Sequence, residues 1–140
     1  MNSRFSRSCA SRATCLLALL ALAACATIQD QSEVIGTRAQ ARWDALLAGD
    51  LAKAYTYLSP AYRSSVGPLQ YQRQVLLQKV RWTGAQYIDS ECLESTCKVR
   101  ISLDFALIGA LPGVRRYDGH QEIEENWVKA DGQWWYVPEN

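Results

Sequence analysis

Histidine occurs once in these 140 residues and cysteine five times. A zinc or iron centre needs several nitrogen and sulfur donors gathered in one place. His120 and the Cys92/Cys97 pair do not supply them, because no second close cysteine pair follows, so neither a metal nor a cofactor is expected. There is also no basic excess. With 15 Lys and Arg against 14 Asp and Glu, the chain lacks the clustered positive charge that neutralising a phosphate backbone requires, which excludes nucleic acid as a partner. Long apolar runs are missing too. The longest, Ala13 to Ala24, has 12 residues; as a helix it would span roughly 18 Å of a hydrocarbon core about 30 Å thick. Past residue 32 there is no internal repeat, low-complexity segment or Pro/Gly linker.

The short apolar run follows "MNSRFSRSCASR", which carries Arg4, Arg7 and Arg12 and no acidic residue. A positive n-region before a short apolar core is the pattern of a secretory signal peptide. Leu22-Ala23-Ala24-Cys25 resembles the lipobox of bacterial lipoproteins. The resemblance implies cleavage after Ala24, diacylglycerol on the Cys25 thiol and a fatty acyl group such as palmitate on the new N-terminus. Several chains together hold a protein to a bilayer for long times, at about 0.8 kcal/mol per buried methylene. Ala26 stands where an aspartate would, by family analogy, retain the protein at the inner membrane, so the expected location is the periplasmic face of the outer membrane. The expected division is a lipoprotein signal peptide over 1–24, the lipidated cysteine and a short tether over 25–32, and one domain over 33–140. The seven residues 26–32 reach at most about 25 Å when extended, so the domain sits close to the bilayer.

Cleavage leaves 12 basic and 14 acidic residues, a formal charge of −2, on 116 residues. That length suits one domain with one core. Cys9 and Cys15 leave with the leader and Cys25 carries lipid, so Cys92 and Cys97 remain as an even pair in an oxidising compartment and are expected to form a disulfide.

Two helical patterns open the domain. Ile35, Ala39, Trp43, Leu46 and Leu47 fall at helical spacing before Gly49, and Asp50 can cap a second helix with Leu51, Ala54, Tyr55 and Leu58 along its stripe. Ser59-Pro60 starts a short turn, and Pro68 starts a helix with Leu69, Gln72, Leu76 and Val80 on one flank and Val75 beside them. From Trp82 the period becomes two. Cys97, Val99, Ile101, Leu103, Phe105 and Leu107 alternate with polar residues on one strand. Placing Cys92 opposite Cys97 puts Ile88 across from Ile101, Gly84 from Phe105 and Trp82 from Leu107. Asp131-Gly132 signals a two-residue hairpin that sets Trp127 opposite Tyr136, Lys129 opposite Trp134 and Val128 opposite Trp135. Helices followed by a meander of about four antiparallel strands make an α+β fold.

"ARWDALLAGDLAKAYTYLSPAYR" and "WVKADGQWWYV" resemble the nuclear-transport-factor-like (cystatin-like) superfamily over about residues 34–138. This implies a curved sheet bent around the N-terminal helix into a cone with a pocket at its mouth. Some superfamily enzymes, the ketosteroid isomerases among them, use a carboxylate base in an apolar pocket. Glu125, between Ile123 and Trp127 on the inward face, is the one carboxylate here in a comparable position. The competing reading puts it at the rim, solvated or paired with an arginine. Trp43, Tyr55, Tyr57, Tyr117, Ile123, Trp127 and Tyr136 are the expected pocket-lining residues, with Trp82 and Trp134 in the core or pocket wall. His120, Glu122 and Glu124 share the outer face at spacing two, where straight strands do not converge on a metal. His120 has no nucleophile motif beside it. Val128, Trp135 and Val137 would form an outer apolar patch suited to a protein contact.

The function expected from these features is non-catalytic: a lipid-anchored periplasmic accessory or ligand-binding domain of the bacterial envelope. It would contact the membrane through Cys25, a homodimer mate or envelope protein through the outer patch, and a small hydrophobic ligand through the pocket. The alternative is a small isomerase or dehydratase using Glu125 on a hydrophobic substrate.

Overall fold

The computed structural model describes residues 31–139, so the basic leader, the lipobox and Cys25 lie outside the described residues. Helices α1 (residues 31–47), α2 (Leu51–Tyr55), α3 (Pro60–Ser65) and α4 (Pro68–Leu76) precede strands β1 (Val80–Leu93), β2 (Thr96–Leu111), β3 (Val114–Ala130) and β4 (Gln133–Val137). The strands form one open antiparallel sheet in the order β1-β2-β3-β4, giving an α+β domain.

Local chemistry sets the helix ends. Gly49, at φ +74°, supplies the left-handed residue that ends α1. The Asp50 carboxylate accepts from the Lys53 N–H at 3.0 Å, and the Ser59 hydroxyl accepts from the Tyr62 N–H at 3.2 Å ahead of Pro60. α1 lies across the inner face of the sheet. Its Ile35, Ala39 and Trp43 pack on Val99, Ile101 and Leu103 of β2, Trp127 of β3 and Trp134 of β4. Fully buried side chains of this kind contribute about 1.5–3 kcal/mol each. A second cluster, Ala45, Ala54, Leu58 and Tyr71, ties the short helices to the end of α1.

α4 is rolled away from the expected flank. Leu69 and Leu76 are 77% and 74% exposed, while Tyr71 and Val75 turn inward. α4 lies against α2, where the Tyr55 ring stacks on Tyr71 with centroids 5.6 Å apart, and burying that aromatic outweighs burying the leucines. Leu47 of α1 is likewise 37% exposed.

The sheet register follows the disulfide for a few residues and then departs from it. Cys92 is bonded to Cys97, and Ser90 faces Val99. Bulges then shift β1 at Ile88 and at Thr83, so that Tyr87 faces Ile101, Gly84 faces Asp104, Trp82 faces Phe105 and Val80 faces Leu107. The expected pairs Ile88–Ile101, Gly84–Phe105 and Trp82–Leu107 are therefore replaced. The cause lies in α1. The Gln40 side chain accepts the Tyr87 N–H at 2.8 Å and donates to the Ala85 carbonyl at 3.1 Å, occupying backbone groups beside the first bulge. Tyr87 thereby swings inward over Gly36, whose missing Cβ leaves room for the ring, and Ile88 is left 38% exposed.

The β3–β4 hairpin pairs as the Asp-Gly turn requires, Trp127 with Tyr136, Val128 with Trp135 and Lys129 with Trp134. Asp131 and Gly132 both have positive φ, 53° and 74°.

In mid-sheet, Gly119 of β3 sits under the Phe105 ring, where a Cβ would lie 2.4 Å from the ring tip. Gly119→Ala is expected to lower stability in urea unfolding by about 1–3 kcal/mol through overpacking. The loss should shrink when the same change is made beside Phe105→Leu.

Candidate functional site

Two charged residues occupy core positions of otherwise apolar patterns. Arg42 falls in the α1 stripe that runs through Ile35, Ala39 and Leu46, and Glu125 falls between Ile123 and Trp127 on β3. The packing of α1 on the sheet brings them together. Arg42 Nη1 donates to Glu125 Oε1 at 2.7 Å, with 7% and 1% of the two side chains exposed. Trp43 Nε1 donates to the same oxygen at 2.8 Å, and Trp127 Nε1 donates to Oε2 at 3.0 Å. The guanidinium also lies 3.7 Å above the Tyr136 ring, a desolvated cation–π contact. Glu125 is thus buried and paired with an arginine. A carboxylate has about four lone-pair positions, and three donors already take most of them.

A cavity of about 520 Å³ opens beside this pair. Arg42, Tyr71, Glu125 and Tyr136 form the inner part of its polar lining, Gln74, Gln78 and a second carboxylate, Glu139, line it too, and Trp43, Trp82 and Ile123 are among its apolar walls. Three buried donors have no hydrogen-bond partner among the described residues: Arg42 Nε and the Tyr71 hydroxyl, on side chains that line this cavity, and Arg63 Nε, which is not part of it. Burial raises the Tyr71 pKa, partly opposed by the nearby Arg42 charge. Burial likewise pushes Tyr136 up to about 12, with Arg42 lowering it and Glu125 raising it. Both phenols therefore stay protonated at neutral pH.

Of the expected pocket residues, Trp43, Ile123 and Tyr136 line this cavity. Trp127 lies in the core behind Glu125. Tyr55 donates to the Val66 carbonyl at 2.8 Å, Tyr57 lies under the Arg38 guanidinium, and Tyr117 is 49% exposed far along β3. Sequence reasoning missed Arg42 and Tyr71. A lone arginine within an apolar helical stripe, matched by a lone carboxylate within an apolar strand face, was the signal available.

On the outer face, the three residues at spacing two each pair separately. Glu124 meets Lys98 at 2.7 Å, Glu122 lies 3.9 Å from Arg100, and His120 Nδ1 meets Asp104 at 2.8 Å. No group of three His, Cys, Asp or Glu among the described residues could hold a metal ion. Ser102 Oγ lies 3.4 Å from His120 Nε2, which reproduces the order of a Ser-His-Asp triad. It lacks the other parts of such a site. His120 and Asp104 are about 60% exposed, and Ser102 sits on β2, whose backbone is paired on both sides, leaving no N–H to stabilise an oxyanion.

At the end of β4, the Trp135 ring has the guanidinium carbons of Arg38 and Arg63 5.2 and 5.1 Å from its centroid. Trp135, Val128 and Val137 are each half-buried.

No family model matches the chain, and no curated protein matches its sequence. Among solved structures it is similar to a SEC-C motif containing protein from Rhodopseudomonas palustris, with a TM-score of 0.53 and 14% identity over 69% of this chain and 70% of that one. At that identity the likeness concerns the fold alone.

Removing one partner of a buried pair strands the other charge. Glu125→Gln and Arg42→Ala are each expected to cost about 3–5 kcal/mol in denaturant unfolding. The double change Arg42→Met with Glu125→Leu should cost clearly less than the sum of the two single changes.

Alkali offers a separate check. A raised folded pKa gives stability that is complete below the unfolded tyrosine value of about 10 and lost as pH climbs through the folded value. Stability should therefore fall between about pH 10 and 12 by roughly 2–3 kcal/mol from Tyr136, and Tyr136→Phe should reduce that fall.

Proposed function

We propose that this protein is a lipid-anchored, non-catalytic ligand-binding domain on the periplasmic face of the bacterial outer membrane, built as a nuclear-transport-factor-like cone. The observation that carries the binding role is the cavity floor. Glu125 is held by three donors and acts as a fixed counter-charge, while Arg42 Nε–H and the Tyr71 hydroxyl stand beside it without partners. Arg42 and Tyr71 line this half-apolar cavity, and unused donors just behind its wall suit a small hydrophobic ligand whose acceptor oxygen reaches them as the lining side chains shift. Because Arg42 and Glu125 neutralise each other, an uncharged ligand fits better than an anion, which would meet Glu125 with no spare cation.

The anchor reading is supported by the basic leader, the short apolar core and Leu22–Cys25. No helix among the described residues is long and apolar enough to cross a membrane. In this reading the surface around Val128, Trp135 and Val137 is the contact for an envelope partner.

A second reading, an isomerase or dehydratase with Glu125 as base, draws on the burial of that carboxylate in a cavity beside protonated phenols rather than on a solvated rim. Against it, three donors already occupy most of the lone-pair positions of Glu125, and the adjoining Arg42 charge disfavours its taking up a proton.

The test of the anchor is mass spectrometry of the mature N-terminus with fractionation of the envelope. Wild type should carry acyl groups on Cys25 and sediment with outer membranes, and Cys25→Ser should lose both properties. An unmodified terminus or an intact leader in the wild type overturns the anchor. Quenching or enhancement of Trp43 and Trp82 fluorescence by uncharged aromatic ketones, weakened about tenfold or less in Tyr71→Phe, tests the binding role. A response unchanged by Tyr71→Phe, or stronger for the matching carboxylates, removes it.

A further inference from the structure

Two edges of the sheet are blunted. β1 carries bulges at Thr83 and Ile88, a common device against edge-to-edge pairing. β4 is covered by the α2–α3 connection. Ser59 N–H donates to the Tyr136 carbonyl at 2.8 Å and Tyr136 N–H to the Tyr57 carbonyl at 2.9 Å. β4 stops at Val137, and Pro138 has no N–H with which to continue.

Beyond that point β3 runs on alone. β4 pairs only with Asn126–Ala130, so from Val114 to about Glu124 the side of β3 facing away from β2 has no strand partner among the described residues. Its register with β2 runs without a bulge from Asn126 to Arg116, so this edge is long and regular. A long regular edge left open beside two blunted ones is a pairing site.

The charges along the edge are sorted. Arg115 and Arg116 stand at its start and Glu122 and Glu124 at its end, so an antiparallel copy brings opposite signs together. The open stretch Val114–Glu124 is centred on Gly119. Pairing Gly119 with Gly119 of a second copy fills that stretch from end to end and keeps the inner and outer faces aligned. The same register sets Arg116 opposite Glu122, and Asp118 opposite His120, twice each about the two-fold axis. Moving the register by two residues in either direction faces Asp118 with Glu122 or with another Asp118. In the single chain, Arg116 pairs with Asp118, His120 with Asp104 and Glu122 with Arg100, all more than half exposed on the β3 side. Such exposed pairs exchange partners at little cost.

We propose that the protein self-associates by antiparallel pairing of the β3 edge, Val114–Glu124, with the same edge of a second copy, joining two sheets about Gly119. The pairing uses the backbone edge and outer face of β3 and meets the ligand cavity only at Ile123, whose side chain lies on the inner face, so its failure would leave the anchor and the cavity readings untouched.

The experiment is sedimentation of the full chain in detergent, with circular dichroism to verify folding. Wild type should form a dimer at micromolar concentration. Arg116→Glu and Glu122→Arg should each weaken it by about tenfold or more, since each places two like-charged pairs across the joint. The double variant Arg116→Glu/Glu122→Arg should recover most of the association, because the opposed pairs are restored with their signs exchanged. A wild type that stays monomeric overturns the proposal. So do single variants that associate like wild type, a double variant that fails to recover, or a dimer abolished by Trp135→Ser but indifferent to both charge changes.

Discussion

The Arg42–Glu125 ion pair is the contact around which the domain is arranged. It joins the first helix to the third strand in the middle of the core, and neither charge has bulk water to fall back on. Desolvating such a pair costs several kcal/mol per ion, and its mutual attraction offsets that cost only where the remaining hydrogen bonds are made. Trp43 and Trp127 make them on the carboxylate side, and the Tyr136 ring covers the guanidinium. These residues come from α1, β3 and β4, so the relative placement of three elements is tied to one carboxylate. Packing alone tolerates repacking; a buried charge with directional donors does not.

The cavity is a by-product of the same arrangement. The helix end that carries Arg42 and Trp43 is held against the sheet by the pair, while α4 stands off on the other side, leaning on α2 through Tyr71. The space between them is walled by indole and phenol rings, and its floor is polar without carrying net charge. Such a floor can discriminate among ligands by hydrogen bonding while adding little long-range attraction or repulsion.

What could be read from the sequence was local in origin. The α1 stripe, the Gly49 stop, the Asp50 and Ser59 caps and the Asp131-Gly132 turn each depend on a few neighbouring residues, and each formed where its residues pointed. The disulfide set the register only as far as Asp89. The bulges that follow arise because Gln40, distant in sequence, bonds to the β1 backbone, and period-two counting along β1 contains no trace of that. The roll of α4 is similar. Both of its flanks are apolar enough, and the choice between them belongs to Tyr55 on another helix. Glu125 could be placed on the inward face by alternation, yet its partner was passed over because an arginine among apolar helix positions reads as a surface residue until the opposing strand supplies a reason for it.

The union of Leu58 and Tyr136, which joins the helical half to the last strand, has a bearing on how the molecule assembles. The helical half is closed only once β4 is in place, because its closing partner lies on that strand. Loop closure over so much chain is entropically demanding, and the contacts of α1 with β3 and β4 span more chain still. The short helices and the last hairpin therefore gain their final packing together, and the two halves of the domain open as one cooperative unit.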